Sequence, residues 1–142
     1  MVKSPYTCEP DQTLREANEL MSECGIRHLP VIENERLVGL ISDRDLKPAL
    51  AYPQASELRV RDVMKTDVHV AGQDSSLRDV VLNMMENRIG STVIVNQKKN
   101  VVGIFTATDA LGVLADMLED DDTEDLFVGD FIDPWEDAEA YI

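Results

Sequence analysis

The chain spells nearly the same segment twice. Residues 11–46 run through Leu14, Ala17, Leu20, Gly25-Ile-Arg-His-Leu-Pro-Val31 and Leu37-Val-Gly-Leu-Ile-Ser-Asp-Arg-Asp45. Residues 74–110 run through Leu77, Val80, Met84, Ile89-Gly-Ser-Thr-Val-Ile-Val95 and Val101-Val-Gly-Ile-Phe-Thr-Ala-Thr-Asp109. Leu14 falls on Leu77 at an offset of 63, and Gly39 falls on Gly103 after one extra residue in the second repeat's turn. A unit of about 60 residues buries only about 60% of its unfolded surface and is marginal alone. Two such units are therefore expected to bury their apolar faces against each other.

Each repeat reads β-α-β-β-α. In the first, Tyr6–Cys8 is a short strand and Thr13-x-x-Glu16 is a capping box that opens a helix. Leu14, Ala17, Leu20, Met21 and Cys24 make its apolar stripe, and Gly25 closes it. Residues 29–32 and 37–41 are strands about an Asn34-Glu35 turn, and a helix follows over 43–51. Pro48 is tolerable near its first turns. In the second repeat, 68–71 is a strand, and Ser76 opens a helix whose stripe is Leu77, Val80, Val81, Met84 and Met85. Strands at 92–95 and 101–105 and a helix over 107–118 complete it. The methionines at helical spacing read as core residues. Val63 and Met64 are expected to pack under the second repeat. The resulting organisation is repeat 1 at 1–51, a linker at 52–59, repeat 2 at 60–118 and a tail at 119–142.

Charge is unevenly spread. Of the 28 acidic residues, 11 lie in 119–142, which has no Lys or Arg. A nucleic-acid backbone needs clustered cations, so a nucleic-acid partner is not expected. No apolar run approaches the ~18 residues of a membrane span, and the N-terminus has no apolar signal core. Cys8 and Cys24 both lie in the first repeat. They read as buried small apolar residues in a reducing cytoplasm rather than as a disulfide framework. No Cys/His cluster has zinc spacing, and no nucleophile–base arrangement or phosphate loop is present. The chain therefore reads as non-enzymatic, without cofactor or metal.

Both repeats end in Gly-x-x-Ser/Thr-x-x-Asp where a strand hands over to a helix. Ser42-x-x-Asp45 and Thr106-x-x-Asp109 are capping boxes on one reading. On the other, they form a ligand site. Free N–H groups at a helix start suit phosphate, and a carboxylate accepts the hydroxyls of a ribose. The upstream glycine lets a ligand or another backbone approach.

These stretches, in duplicate and in order, resemble a tandem pair of cystathionine β-synthase (CBS) domains, a Bateman module, over about residues 2–118. The resemblance implies an α+β fold in which two β-α-β-β-α repeats pack sheet to sheet with pseudo-twofold symmetry. It implies clefts between the repeats for an adenosine-containing ligand such as AMP, ADP, ATP or S-adenosylmethionine, and a homodimer. By position, Asp45 and Asp109 would hold ribose diols, and Ser42 and Thr106 would contact ribose or phosphate. Backbone at Leu29-Pro30 and Thr92-Val93 would meet adenine, and Tyr6 and Val68 would close over the base. Arg27, His28 and Arg44 would face phosphates. Gly90, Ser91 and Thr108 replace these three in the second repeat, so the clefts should be chemically unequal. The family's Met-Thr/Lys lead-in is supplied by Val63-Met64-Lys65 in the second repeat, while the first starts abruptly at Met1.

The tail has no counterpart in the resemblance. It combines an acidic run at 119–125 with Phe127, Phe131, Ile132, Trp135 and Tyr141. Those side chains either dock on the domain or across a dimer, or serve as a peptide for a partner protein. The function expected is a regulatory module that senses an adenosine-containing ligand. The alternative is a ligand-free dimerisation or scaffold module acting through its tail.

Overall fold

In the computed structural model, the residues described are Val2 and Lys3, for their backbone only, together with 6–119 and 126–131. The acidic run at 120–125 and the side chains of Ile132, Trp135 and Tyr141 lie outside them. The chain divides into two units, 1–109 and 110–142.

The first repeat begins with β1 (Val2–Lys3) and α1 (Leu14–Cys24). The Thr13 hydroxyl accepts the Glu16 N–H at 3.0 Å, as the capping box requires. Gly25, at φ 65°, ends the helix in the left-handed conformation that only glycine adopts at no steric cost. β2 (His28–Glu33) and β3 (Arg36–Ser42) form an antiparallel hairpin. Its turn residues Asn34 and Glu35 both have positive φ, which matches the right-handed twist of the strands. α2 (Asp43–Leu50) starts on Ser42 and contains Pro48. After a 3₁₀ turn at Ala55–Glu57 comes the short α3 (Val60–Val63). The second repeat follows as β4 (Val70–Gly72), α4 (Leu77–Asn87), β5 (Ser91–Val95), β6 (Val101–Thr106) and α5 (Ala107–Met117).

The result is an α+β fold with two sheets. One is four-stranded in the order β1-β6-β5-β4, and the other is the β2-β3 hairpin. The expected strand at Tyr6–Cys8 is reduced to one parallel bridge between Cys8 and Val31 on the β2 edge. Each lead-in segment pairs with the other repeat. Lys65 bridges Leu40 of β3 through two hydrogen bonds of 2.9 Å, and Val2–Lys3 pairs with Ile104 and Gly103 of β6. The expectation that the first repeat lacks its lead-in is thus corrected. Val2–Lys3 supplies it, and it was hidden because it lies on the far repeat's sheet.

This crossing explains one motif glycine. A Cβ on Gly39 would lie 2.5 Å from the Met64 sulfur and 2.9 Å from the Lys65 carbonyl oxygen. Of the two approaches the sequence allowed, the one seen is another backbone. Val63 and Met64 pack against the first repeat's core with Leu20, Ile26 and Leu58, not under the second repeat as expected. That core holds Leu14, Ala17, Met21, Leu29, Val31, Ile41, Leu46 and Val60.

In the second repeat Val80, Met84, Val93, Ile94, Ile104 and Phe105 are buried. Three residues of the expected α4 stripe are not: Val81 is half-buried, Leu77 is 47% exposed and Met85 67%. α5 has no buried residue.

Candidate ligand cleft between the repeats

The strand-to-helix junctions place both acidic motifs in the same local geometry. At the first, Ser42 caps α2. Its hydroxyl accepts the Asp45 N–H at 3.2 Å and donates to Asp45 Oδ2 at 2.8 Å. At the second, the Thr106 hydroxyl accepts the Asp109 N–H at 3.1 Å and donates to Asp109 Oδ2 at 2.9 Å. The Thr106 N–H also donates to that oxygen at 2.8 Å. One further bond fixes each helix start: Asp43 N–H to the Arg27 carbonyl at 2.8 Å, and Ala107 N–H to the Gly90 carbonyl at 2.9 Å. Each lies at the foot of its hairpin, where β2 pairs His28 with Ser42 and β5 pairs Ser91 with Thr106. The residues before the first hairpin strand are thereby tied to the acid motif.

A cleft of about 290 Å³ opens between the repeats. The first repeat contributes Tyr6 and Gly25-Ile-Arg-His28. The second contributes Ile104, Thr106, Thr108 and Asp109. Of the residues singled out from sequence, the cleft gathers Tyr6, Arg27, His28, Thr106 and Asp109. The sequence did not reveal that Arg27 and His28 of one repeat would meet the acid of the other. Gly25, Ile26, Ile104 and Thr108 were not anticipated as lining. Their signal was adjacency, since each lies within two residues of a residue that was.

The remaining candidates lie elsewhere. Ser42 and Asp45 are half-buried at the α2 start, and Asp45 Oδ1 lies 4.0 Å from Lys65 Nζ. Arg44 is exposed and Val68 half-buried. Pro30 is buried, and its carbonyl accepts the Cys8 N–H at 3.0 Å. Val93 is buried, and its N–H donates to the His69 carbonyl at 2.8 Å. Thr92 is 1% exposed, and its hydroxyl has no hydrogen-bond partner among the described residues. A buried hydroxyl left so is uncommon and costly.

Electrostatics distinguish the cleft. Burial lowers the His28 pKa below its ordinary value. Asp45 and Asp109 act in the opposite direction, and Lys65 and Arg27 add to the lowering. The imidazole is therefore neutral near pH 7, one nitrogen donating and the other accepting. Burial raises the Asp109 carboxyl, but hydrogen bonds led by those from Thr106 outweigh it and hold the group below the usual carboxylate range. Asp109 is thus an anion throughout the physiological range. Cys8 is pushed up to about 12, first by burial and then by Glu9, so it is an inert core thiol. No group of three or more metal-ligating side chains occurs among the described residues, and no helix among them is long and apolar enough to cross a membrane.

The sequence profile of the CBS domain matches residues 1–52 and 60–116. The chain is 34% identical over 114 residues to the uncharacterised protein MJ1232 of Methanocaldococcus jannaschii, covering 80% of this chain and 38% of that one. It is 35% identical over 112 residues to the inosine-5'-monophosphate dehydrogenase of the same organism, covering 78% of this chain and 22% of the enzyme. It therefore spans well under half the length of these relatives. Among solved structures, a Vibrio cholerae protein named for acetoin utilization (AcuB) superposes with a TM-score of 0.71 at 30% identity, covering 94% of both chains. The CBS domain pair of protein MJ0100, in complex with 5'-methylthioadenosine and S-adenosyl-L-methionine, superposes with a TM-score of 0.72 at 26% identity, covering 82% of this chain and 93% of that one. Duplicated hairpins, crossed lead-in segments and paired Ser/Thr-x-x-Asp helix starts thus meet in one conclusion: the chain belongs to the CBS domain family, as a tandem pair.

Proposed function

We propose that this protein is a non-catalytic regulatory module that binds an adenosine-containing ligand (AMP, ADP, ATP or S-adenosylmethionine) between its repeats. The observation that carries this reading is the Asp109 carboxylate, ionised and held by Thr106 on the wall of a cleft whose other wall is Tyr6, Arg27 and His28. A ribose diol donates two hydrogen bonds to such a carboxylate. The base lies against the apolar surface of Tyr6 and Ile104, and Arg27 meets phosphate or carboxylate. About 290 Å³ is at the small end of ligand pockets, suiting a mononucleoside. By family position, Ser42, Asp45, Arg44 and Val68 serve a second, chemically different cleft, and Pro30, Thr92 and Val93 frame the bases.

Because the walls come from different repeats, a ligand that touches both favours one relative arrangement of them. The shift is limited by its differential affinity for the two arrangements. A partner protein or a homodimer reads the change. Thermal unfolding with a panel of AMP, ADP, ATP, S-adenosylmethionine and NAD tests the reading. A ligand at 100 times its Kd adds about 2.7 kcal/mol of stability. The gain should shrink at least about tenfold in affinity in Asp109→Ala, the worth of one hydrogen bond to a charged group. No stabilisation by any of the panel at millimolar concentration overturns it. The second reading, a scaffold acting through the tail, is favoured by the exposure of Phe127, Val128 and Phe131, and it predicts that null result.

A further inference from the structure

The crossing of the repeats separates two arginines that the sequence places in one repeat. Arg27 and Arg44 both belong to the first repeat, and the second has Gly90 and Thr108 in their places. The described cleft joins Arg27 of one repeat to Thr106, Thr108 and Asp109 of the other. Arg27 therefore shares its cleft with Thr108. Arg44 is exposed, on the first repeat's own α2.

The cleft is left with little positive charge. Among the described residues that line it, Arg27 is the one cation and Asp109 the one carboxylate. His28 is a neutral imidazole near pH 7, and Tyr6, Ile26 and Ile104 give apolar surface. Arg27 makes no ion pair among the described residues. Lys47 and Lys65, by contrast, are each matched by a carboxylate, Asp43 at 3.9 Å and Asp45 at 4.0 Å. The Arg27 guanidinium is thus available to one anionic group, which it can hold through two parallel N–H donors. A second anionic group meets no unmatched cation there, and a charge taken out of water without a partner is costly. The cleft's volume of about 290 Å³ also leaves small room beyond a nucleoside and one such group.

We propose that this cleft selects an adenosine whose 5′ substituent carries one anionic group, a monophosphate or an amino-acid carboxylate, and discriminates against di- and triphosphates. Thr108 sets the limit, because an arginine in its place offers a second anion a partner. The inference rests on adenosine binding in the cleft and narrows the ligands that the cleft admits.

NMR titrations of the full-length ¹⁵N-labelled protein test it, read at the amides of Thr106 and Asp109 so that the described cleft is followed. The titrants are AMP, S-adenosylmethionine and ATP, at pH 8 and without divalent cations. The wild type should bind AMP or S-adenosylmethionine at least about tenfold more tightly than ATP, the cost of one charged group left without its partner. Whichever of the two binds more tightly identifies the anion as phosphate or carboxylate. Thr108→Arg should strengthen ATP binding by about tenfold or more, and AMP binding by less. Arg44 already occupies that place at the start of α2, so the local fold accepts the substitution. ATP bound by the wild type as tightly as the better of the other two, or an ATP affinity that Thr108→Arg leaves unchanged, overturns the selection while the ligand reading stands. Amides that respond to none of the three at millimolar concentration overturn the ligand reading, and the selection with it.

Discussion

The two repeats share a plan but not a degree of closure. In the first, α1 and α2 sit over the β2-β3 hairpin, and residues 58–64 fold back over them, so that Leu14, Leu46 and Val60 are sealed from water. In the second, α4 buries Val80 and Met84, but Leu77 and Met85 stay exposed, as do Leu111, Leu114 and Met117 on α5. The first repeat's helices make a closed core, and the second's keep much of their apolar surface exposed. Duplication supplied the same apolar pattern twice. What differs is the segment after the second helix, the stretch 51–69 before β4 in one case and an acid-rich tail in the other. An apolar stripe therefore specifies a face, while the chain's connectivity decides whether that face is covered.

The sharpest way to break this comparison is to truncate matching leucines. Leu14→Ala removes a fully buried side chain and should cost about 2–5 kcal/mol. Leu77→Ala, studied by urea unfolding at low protein concentration, should cost within about 0.5 kcal/mol, as for a surface site. Equal losses would mean that the second repeat is as closed as the first.

A smaller effect tests the crossing of lead-in segments. Gly39→Ala drives a methyl group into the Met64 sulfur and the Lys65 carbonyl. Overpacking of this kind costs about 1–3 kcal/mol. The sulfur can move, but the carbonyl is fixed by its bond to the Leu40 N–H. A neutral result in thermal unfolding would show that the Met64-Lys65 strand yields freely, and that the repeats are less tightly interlocked than their pairing implies.

Much of this was legible in the residues. Periodicity fixed the helices at 14–24 and 77–87 because their capping hydroxyls and apolar spacing agree. The Ser/Thr-x-x-Asp signal located both helix starts. Legibility failed where a contact joins distant parts of the chain. Nothing local to Val2–Lys3 or Met64-Lys65 says that each segment pairs with the other repeat's last strand. Nor does anything local to Arg27 say that its cleft partner is Asp109. The Tyr6–Cys8 strand was overread because an edge segment needs only one bridge to be held. Leu77 was misassigned because burial depends on what the rest of the chain lays over it.

The two acid motifs offer a third comparison. Asp109 lines the described cleft, whereas Asp45 lies beside Lys65. Asp109 accepts the Thr106 N–H in addition to the hydroxyl bond that Asp45 shares, so Asp109→Ala should lose more stability than Asp45→Ala, on the scale of about 1 kcal/mol for a helix cap. A ligand confined to the described cleft should bind about tenfold more weakly to Asp109→Ala and unchanged to Asp45→Ala. Titration calorimetry that finds equal losses would show both clefts filled, and no loss in either variant would reduce both motifs to helix caps.

The smallest effect concerns His28, which stands where the second repeat has Ser91. Its pKa is lowered in the folded chain, by burial first, against the pull of Asp45 and Asp109 and with the push of Lys65 and Arg27. The unfolded chain, with a histidine pKa near 6.5, then binds the extra proton more readily. This contribution to stability is therefore complete above about pH 6.5 and falls as the pH drops through the folded pKa. Its slope is at most about 1.4 kcal/mol per pH unit. Asp109, also lowered, acts in a separate and more acid window, below its ordinary value of 3.8. His28→Ser gives the first repeat the second repeat's residue. It should flatten the stability profile below about pH 6.5 while leaving the steeper acid limb intact. An anionic ligand beside the imidazole would instead favour its protonated form and raise its pKa. Binding of AMP should then take up a fraction of a proton near pH 6 in the wild type and none in His28→Ser. Calorimetry in buffers of different ionisation enthalpy measures that difference. The same proton uptake in both proteins would remove His28 from the anion's surroundings and leave Arg27 as the cleft's charge on that wall.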